Sequence, residues 1–239
     1  MDLLTTATSP QVRARDPKTA VLPVGSFEQH STFLPLITDT VIACAIGREL
    51  EKRYEVLLLP PVTVSCSHEH SAFAGTVSVS ARTLLAYIGD IAESLDRSGI
   101  KQLILVNGHG GNYALNNMVQ EANVRERRMS LFPGRADWDR ARRDAGLATT
   151  AHEDMHAGEL EVSLLLHVAP QLVGDGYPDA DWPADDRPHL LVRGIDAYSK
   201  SGVIGKPSLG TAHKGEAILS SLESGFADHL AALGPEWAP

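Results

Sequence analysis

The sequence holds only two cysteines, Cys44 and Cys66, so no disulfide framework can staple it, and neither neighbourhood spells a zinc knuckle. Cys44 sits in an apolar helical run and reads as a small buried hydrophobe. No apolar stretch is long enough to cross a bilayer. Positive charge is scarce. The 21 Lys and Arg stand against 30 Asp and Glu, and the net charge of -9 argues against a nucleic-acid partner. No basic run suggests an anionic membrane surface. The polar segment Met1 to Thr19 carries Arg13, Arg15 and Lys18 and lacks the apolar stretch of a secretory signal. Internal repeats and low-complexity tracts are absent too. These readings describe a soluble, cytoplasmic chain.

What is present fits one large α/β domain over residues 1–239. Ala20 to Val24 reads as a short strand stopped by Gly25-Ser26. Thr38 stands where an N-cap would open a helix to about Arg53. Val56 to Leu59 is a second strand and Gly75 to Val79 a third, with the polar loop Ser65 to His70 between them. Ser80 caps a helix to about Arg97, ended by Gly99. Leu103 to Val106 is an apolar run of the buried parallel kind. Next come a helix to about Arg127, a strand at Ser130 to Phe132 and a charged helix at Asp137 to Arg143. A leucine-rich helix at Ala157 to His167 and a last one at about Lys214 to Leu233 complete the pattern. Residues 170–207 are rich in Pro, Gly and Asp and read as a lid or an oligomer contact. The alternation predicts a mostly parallel central sheet with helices on both faces, a three-layer α/β/α sandwich. Ligands in such folds sit beyond the carboxyl ends of the strands.

Three polar clusters carry chemistry. Glu28 and His30 lie two apart in an extended segment and can point the same way, and Asp39 can be turned toward them. Carboxylate, imidazole and carboxylate suit a borderline divalent ion, although Asp39 could equally serve only its helix terminus. His109 follows a buried strand, between Gly108 and the pair Gly110-Gly111. Such a turn could cradle phosphate, but it meets neither the P-loop nor the dinucleotide spacing, and a histidine inside it favours metal. In the third cluster His156 and Glu159 are three apart and would share a helical face. Glu161 would then point elsewhere, as a supporting residue for a ligand or as a surface charge.

Together these clusters resemble the creatininase (creatinine amidohydrolase) family. Its pattern G-S-x-E-Q-H-G-P-H-L-P-L-x-T-D stands here as Gly25 to Asp39, with Ser31, Thr32 and Phe33 in place of Gly, Pro and His. Asn107 to Asn112 reads N-G-H-G-G-N in full. His156-Ala157-Gly158-Glu159 with Glu161 and Ser163 follows the H-A-G-E-x-E-T-S element except at Val162. His70, Phe73, Gly75 and Thr76 look like the H-x-x-F-x-G-T segment. The resemblance covers about Ala20 to Val168 and is faint beyond Gly174.

The resemblance implies two divalent ions of zinc, manganese or iron per chain. Glu28 and His109 would hold one, His30 and Glu159 the other, and Asp39 would bridge them. Creatininase itself takes a ligand glutamate where this chain has Gly111, so that assignment fails and passes to Glu159. His156 matches the catalytic histidine. Glu161, His70, Phe33, Asn107 and Asn112 would line the pocket or support the ligands. Family members often form hexamers, so a homo-oligomer is implied.

The expected reaction is hydrolysis of a non-peptide C–N bond in a small amide, a cyclic amide or a formamide-like group. Phe33 in place of an imidazole predicts that creatinine is a poor substrate. A rival within enzymes is a peptidase that trims a ribosomal precursor peptide in cofactor maturation, of the mycofactocin type, which would need a groove open at both ends. A non-catalytic metal-binding protein is the other rival, and His156 beside a full ligand set argues against it.

Overall fold

Thr19–Val24 (β1), Val56–Leu58 (β2), Gln102–Asn107 (β3) and Met129–Phe132 (β4) form one sheet, ordered β2-β1-β3-β4. This computed structural model describes residues 6–234, so Met1 to Thr5 of the polar N-terminal segment lie outside it. Every pairing is parallel, with Leu57 opposite Ala20, Leu103 opposite Ala20 on the other side, and Leu131 opposite Leu105. Parallel neighbours need crossovers, and helices supply them. A short helix α1 (Ser9–Arg15) precedes β1. Then α2 (Thr38–Arg53) links β1 to β2, α3 (Ala81–Arg97) links β2 to β3, and α4 (Ala114–Ala122) links β3 to β4. Four more helices follow: α5 (Arg135–Asp144), α6 (Glu159–Val168), α7 (Leu190–Arg193) and α8 (Ala212–Leu233).

The strands bury both faces, as a sheet covered on both sides requires. Val21, Ile104, Val106 and Phe132 pack with apolar residues of α2, α5, α6 and α8. Ala20, Leu22, Val24, Leu103 and Leu105 pack with Leu84 and Ile88 of α3 and Leu115 of α4. The result is the expected three-layer sandwich. No helix among the described residues is long and apolar enough to cross a membrane. Cys44 is buried in α2, and burial pushes its thiol up to about 12, which leaves it inert as a nucleophile at neutral pH.

Local structure departs from the sequence expectation in four places. Gly75 to Val79 is no sheet strand: Val77 makes one antiparallel bridge to Phe27, beyond the carboxyl edge of β1. Thr38 lies inside the first turn of α2, where its hydroxyl donates to Pro35 O, and Ile37 takes the cap position. α4 ends at Ala122, because Asn123 Oδ1 accepts from the amides of Arg128 and Met129 and turns the chain into β4. α6 begins at Glu159 instead of Ala157, and that shift redraws the site. Residues 170–207 hold only single-turn helices and α7, where Leu191 and Val192 are exposed.

Candidate metal centre

The carboxyl ends of β1 and β3 deliver the first two clusters to the same place. The loop after β1 carries Glu28 and His30, α2 opens with Asp39, and the turn after β3 carries His109. Gly108 makes the approach possible, since a Cβ there would sit 2.3 Å from the Asp39 carbonyl oxygen. Asn107 and Asn112 lock the turn: Asn112 Nδ2 donates to Asn107 Oδ1 at 3.0 Å, and Asn107 Nδ2 donates to His109 O at 2.7 Å. Asn112 also accepts the Cys66 amide, which ties the turn to the 65–70 loop.

Within this cluster Asp39 reaches both sides. Its Oδ1 lies 3.1 Å from His30 Nε2, and its Oδ2 lies 3.1 Å from His109 Nδ1. Glu28 Oε1 lies 3.2 Å from His109 Nδ1, 3.2 Å from His70 Nε2 and 3.7 Å from His156 Nδ1. Its other oxygen accepts the hydroxyls of Ser26 and Ser67. Among the described residues four buried side-chain atoms lack a hydrogen-bond partner, and two of them are Glu28 Oε1 and Asp39 Oδ2. Two such oxygens at one site are costly unless something cationic meets them.

Three imidazoles show the same outer arrangement. His30 Nδ1 donates to Glu28 O at 3.0 Å, His109 Nε2 to Cys66 O at 2.8 Å and His156 Nε2 to Gln29 O at 2.7 Å. With the outer nitrogen held as N–H, the inner one presents a lone pair to the cluster, as metal-ligating histidines do. His70 is turned the other way. Its Nδ1 accepts from Gln29 Nε2 at 3.0 Å, which turns its Nε2 toward Glu28.

The electrostatics agree. Burial raises the cost of charge on Glu28 and Asp39, yet His109 and His70 hold the Glu28 carboxyl down at about 2, and His30 and His109 hold Asp39 lower still. Burial opposes charge on His30, but Asp39, Glu161 and Glu28 push it up to about 10. Protons on these rings do what a bound cation would do. Burial, with His30 and His70 alongside, drives His156 well below its ordinary value, so its imidazole is neutral in this cluster.

Five predicted residues therefore meet: Glu28, His30, Asp39, His109 and His156. Glu159 does not. Its Oε1 takes Lys214 Nζ at 2.6 Å, and its Oε2 takes Thr149 Oγ1 at 2.6 Å and Thr149 N at 3.0 Å. Glu161 stands in the cluster instead, its Oε2 3.7 Å from His30 Nε2. The reason is the start of α6. Ala157 adopts a left-handed φ of 53°, so His156 lies in an extended segment paired with Ile204, and helical spacing from it to Glu159 never applies. Asp154 caps the helix by accepting the amides of Glu159 and Leu160. Three groups of residues can each present ligand atoms to one ion: Glu28, Asp39 and His109; His30, Asp39 and Glu161; and Glu28, His30 and His156.

Phe33 also falls elsewhere than expected. It is buried in the larger core group, and its carbonyl accepts the amide of Gly174, so it does not wall the cavity over the cluster. That cavity, about 310 Å³, is lined by Asn107, His109, Trp138, Arg142 and Glu161. A second, about 400 Å³, is lined by Glu69, Gly111, Tyr113, Leu191 and Arg193. The His109 turn contributes to both. Sequence reasoning missed Gln29, Ser26 and Ser67, whose only signal was their place beside the ligand-type residues.

The comparisons with known proteins bear on the same residues. The creatininase family, described as creatinine amidohydrolase, matches residues 5–230. The mycofactocin precursor peptide peptidase of Mycobacterium ulcerans (strain Agy99) is 33% identical over 99% of this chain and 92% of its own. The creatinine amidohydrolase of Pseudomonas putida is 27% identical over 88% of this chain and 87% of its own. A crystal structure of creatinine amidohydrolase superposes with a TM-score of 0.80 at 24% identity, covering 97% of each chain. Solved creatininases of the same fold include a manganese form and a Zn-Zn form. With its motifs gathered at one sheet edge and the match running almost end to end, this chain belongs to the creatininase family of hydrolases.

Proposed function

We propose that this chain is a two-metal hydrolase that cleaves an amide bond in a short peptide. One observation carries the hydrolase reading: Glu28 Oε1 and Asp39 Oδ2 are buried, unpartnered and faced by imidazoles whose outer nitrogens are already held. Glu28 and His109 would hold one ion, His30 and Glu161 the other, and Asp39 would bridge. Two divalent ions there would lower the pKa of a shared water and polarise the scissile carbonyl. The remaining work belongs to the chain. His156, neutral and pinned at Nε2 by Gln29 O, offers Nδ1 to take a proton and return it to the leaving nitrogen. Without that proton an amide nitrogen leaves poorly. His70 sets its Nε2 3.2 Å from Glu28 Oε1, near enough to favour the charge on that oxygen without satisfying it by a hydrogen bond.

For the substrate, the peptide alternative gains over the small-amide expectation. The relative at 33% identity is named as a peptide peptidase, whereas creatinine amidohydrolase stands at 27%. Cavities meeting the His109 turn from two sets of walls suit an extended chain better than one small ring. Protein reloaded separately with zinc, manganese and ferrous iron should be incubated with creatinine and with short peptides drawn from reading frames adjacent to its gene. Mass spectrometry should show a cleaved peptide with at least one metal. Creatinine turnover above a kcat/KM of about 10⁴ M⁻¹s⁻¹, the low end for ordinary enzymes, with every peptide left intact, would return the reading to a small cyclic amide.

A further inference from the structure

Glu69 belongs to no motif that the metal reading uses, yet it stands beside the centre. It lies in the single helical turn His68–His70, and its side chain is 16% exposed. Its Oε1 is 3.5 Å from His109 Nε2, the nitrogen that donates to Cys66 O at 2.8 Å. His109 therefore has two faces. The inner Nδ1 meets Glu28 and Asp39, and the outer Nε2 meets a carbonyl and a carboxylate.

A second observation comes from the glycine turn. A Cβ at Gly111 would lie 1.9 Å from Glu69 Oε1 and 2.3 Å from His109 Nε2. The backbone at 111 is not in the left-handed region, so its conformation does not demand glycine. What demands it is volume: the space of a side chain at 111 is taken by the Glu69 carboxylate and the His109 ring. A solvated surface glutamate would not displace a side chain in this way. Burial works against charge on Glu69, but His109 beside it holds the carboxyl below its ordinary value.

We propose that Glu69 is a positioning residue for His109, and that Gly111 is small to admit it. Beside the Cys66 carbonyl, the carboxylate helps to hold the outer nitrogen as N–H, so that the inner lone pair would be free for an ion held with Glu28 and Asp39 and the imidazole would be a stronger donor to it. Such outer partners of ligating histidines contribute roughly 10–100-fold to metal affinity. The backbone carbonyl of Glu69 also meets Gly194, where a Cβ would lie 3.1 Å away, so residues 190–196 brace the turn that carries it.

This inference rests on the metal reading, and the test separates the two. Zinc and manganese affinities are measured by chelator competition on the full chain, with the melting temperature of the metal-free protein recorded alongside. Glu69→Ala should weaken binding about 10–100-fold, with the metal-free melting temperature unchanged. Glu69→Gln, which keeps shape and an acceptor oxygen, should recover part of that loss. Gly111→Ala should weaken binding as well, by displacing the carboxylate. Parent-like affinity in both Glu69 variants would overturn this inference and leave the metal reading standing. A parent protein that takes up neither metal would overturn both. If Glu69→Ala melts early, Glu69→Gln alone decides, by weakening affinity or failing to.

Discussion

Glu159 and Glu161 sit two residues apart on the first turn of α6, both removed from bulk water, and their surroundings are opposite. Around Glu159 the donors are complete: two amides, a hydroxyl and an ammonium point at its oxygens. Burial opposes its charge, yet Lys214, Thr149 and Ala148 still hold its carboxyl below the ordinary value. Glu161 receives one amide, from Ala157, and otherwise faces His30 and the Asp39 carboxylate. Burial, with Asp39 adding to it, pushes Glu161 up to about 7 despite His30. A buried carboxylate with every donor in place is an anchor. One that lacks donors and meets other carboxylates has room for a cation. Burial alone cannot distinguish them, and the hydrogen-bond account can.

The sharpest way to break this comparison is at Asp39, whose Oδ2 is buried with no hydrogen-bond partner. Asp39→Ala should abolish the binding of both ions, because it removes the one carboxylate that reaches both His30 and His109. Elemental analysis of protein purified without chelator should fall from close to two ions per chain to almost none. Full occupancy would mean that Asp39 only favours its helix terminus. His156→Ala should keep its metal and lose turnover by roughly a hundredfold or more, the scale of a lost acid–base group. If it loses metal as Asp39→Ala does, the Glu28, His30 and His156 grouping is a ligand set and His156 is a ligand.

Glu159→Ala tests the anchor side. It leaves the amides of Ala148 and Thr149 without their acceptor and the Lys214 ammonium, 21% exposed, without its counter-charge and with Leu209 O as its remaining acceptor. The cost should be about 3 kcal/mol, the lower end for breaking a buried pair, measured by urea unfolding of the metal-free protein. Metal affinity per folded molecule should stay near that of the parent. Metal loss without destabilisation would restore Glu159 as a ligand.

Asp137 repeats the anchor pattern away from the centre. It takes His229 Nε2 at 2.9 Å, Arg140 Nη2 at 2.9 Å and the Gly134 amide at 2.8 Å. Burial opposes its charge, but these partners hold its carboxyl down at about 2. A folded value below the unfolded one means the stabilisation is complete above about pH 4 and fades as pH falls toward 2. Acid unfolding followed by circular dichroism should be shallower in Asp137→Asn over that window. An unchanged slope would mean that the carboxylate contributes nothing as an ion.

The layers were legible in the sequence because apolar runs in parallel strands and capped amphipathic helices are local signals. Leu103 to Val106 and Ser80 could be placed without tertiary knowledge. The meeting of Glu28, His30, Asp39 and His109 was legible too. What failed was the step that treated Ala157 as helical. A left-handed alanine carries no signature, since glycine and asparagine are the residues that announce such a turn. One misplaced helix start put Glu159 beside the cluster, where the structure puts Glu161. Phe33 was misplaced for a different reason: its neighbours in sequence line the site, but its ring packs in the larger core, and only tertiary packing shows that. Glu69 was invisible as a partner of His109 because the two meet across loops from different strands.

The smallest expected effect concerns Ser31, directly after His30. It holds a φ of 62°, in the region where a Cβ costs about 1 kcal/mol or more. The family pattern has glycine there. Its amide donates to Gln29 Oε1 at 2.9 Å, and that bond depends on the turn and not on the side chain. Ser31→Gly should relieve the strain, but it also frees the unfolded chain, which returns about 0.4–1 kcal/mol. The net gain should be a few tenths of a kcal/mol, or about 1–2 °C in melting temperature for a domain of this size. Metal content should not move, since the Ser31 side chain touches none of the ligand-type atoms of the cluster. A loss of stability above about 1 kcal/mol, beyond the glycine entropy term, would show that the hydroxyl makes a contact worth more than the strain. A change in metal affinity would show that the geometry of His30 depends on this turn, which would place Ser31 with the donor-poor side of the molecule instead of the anchored one.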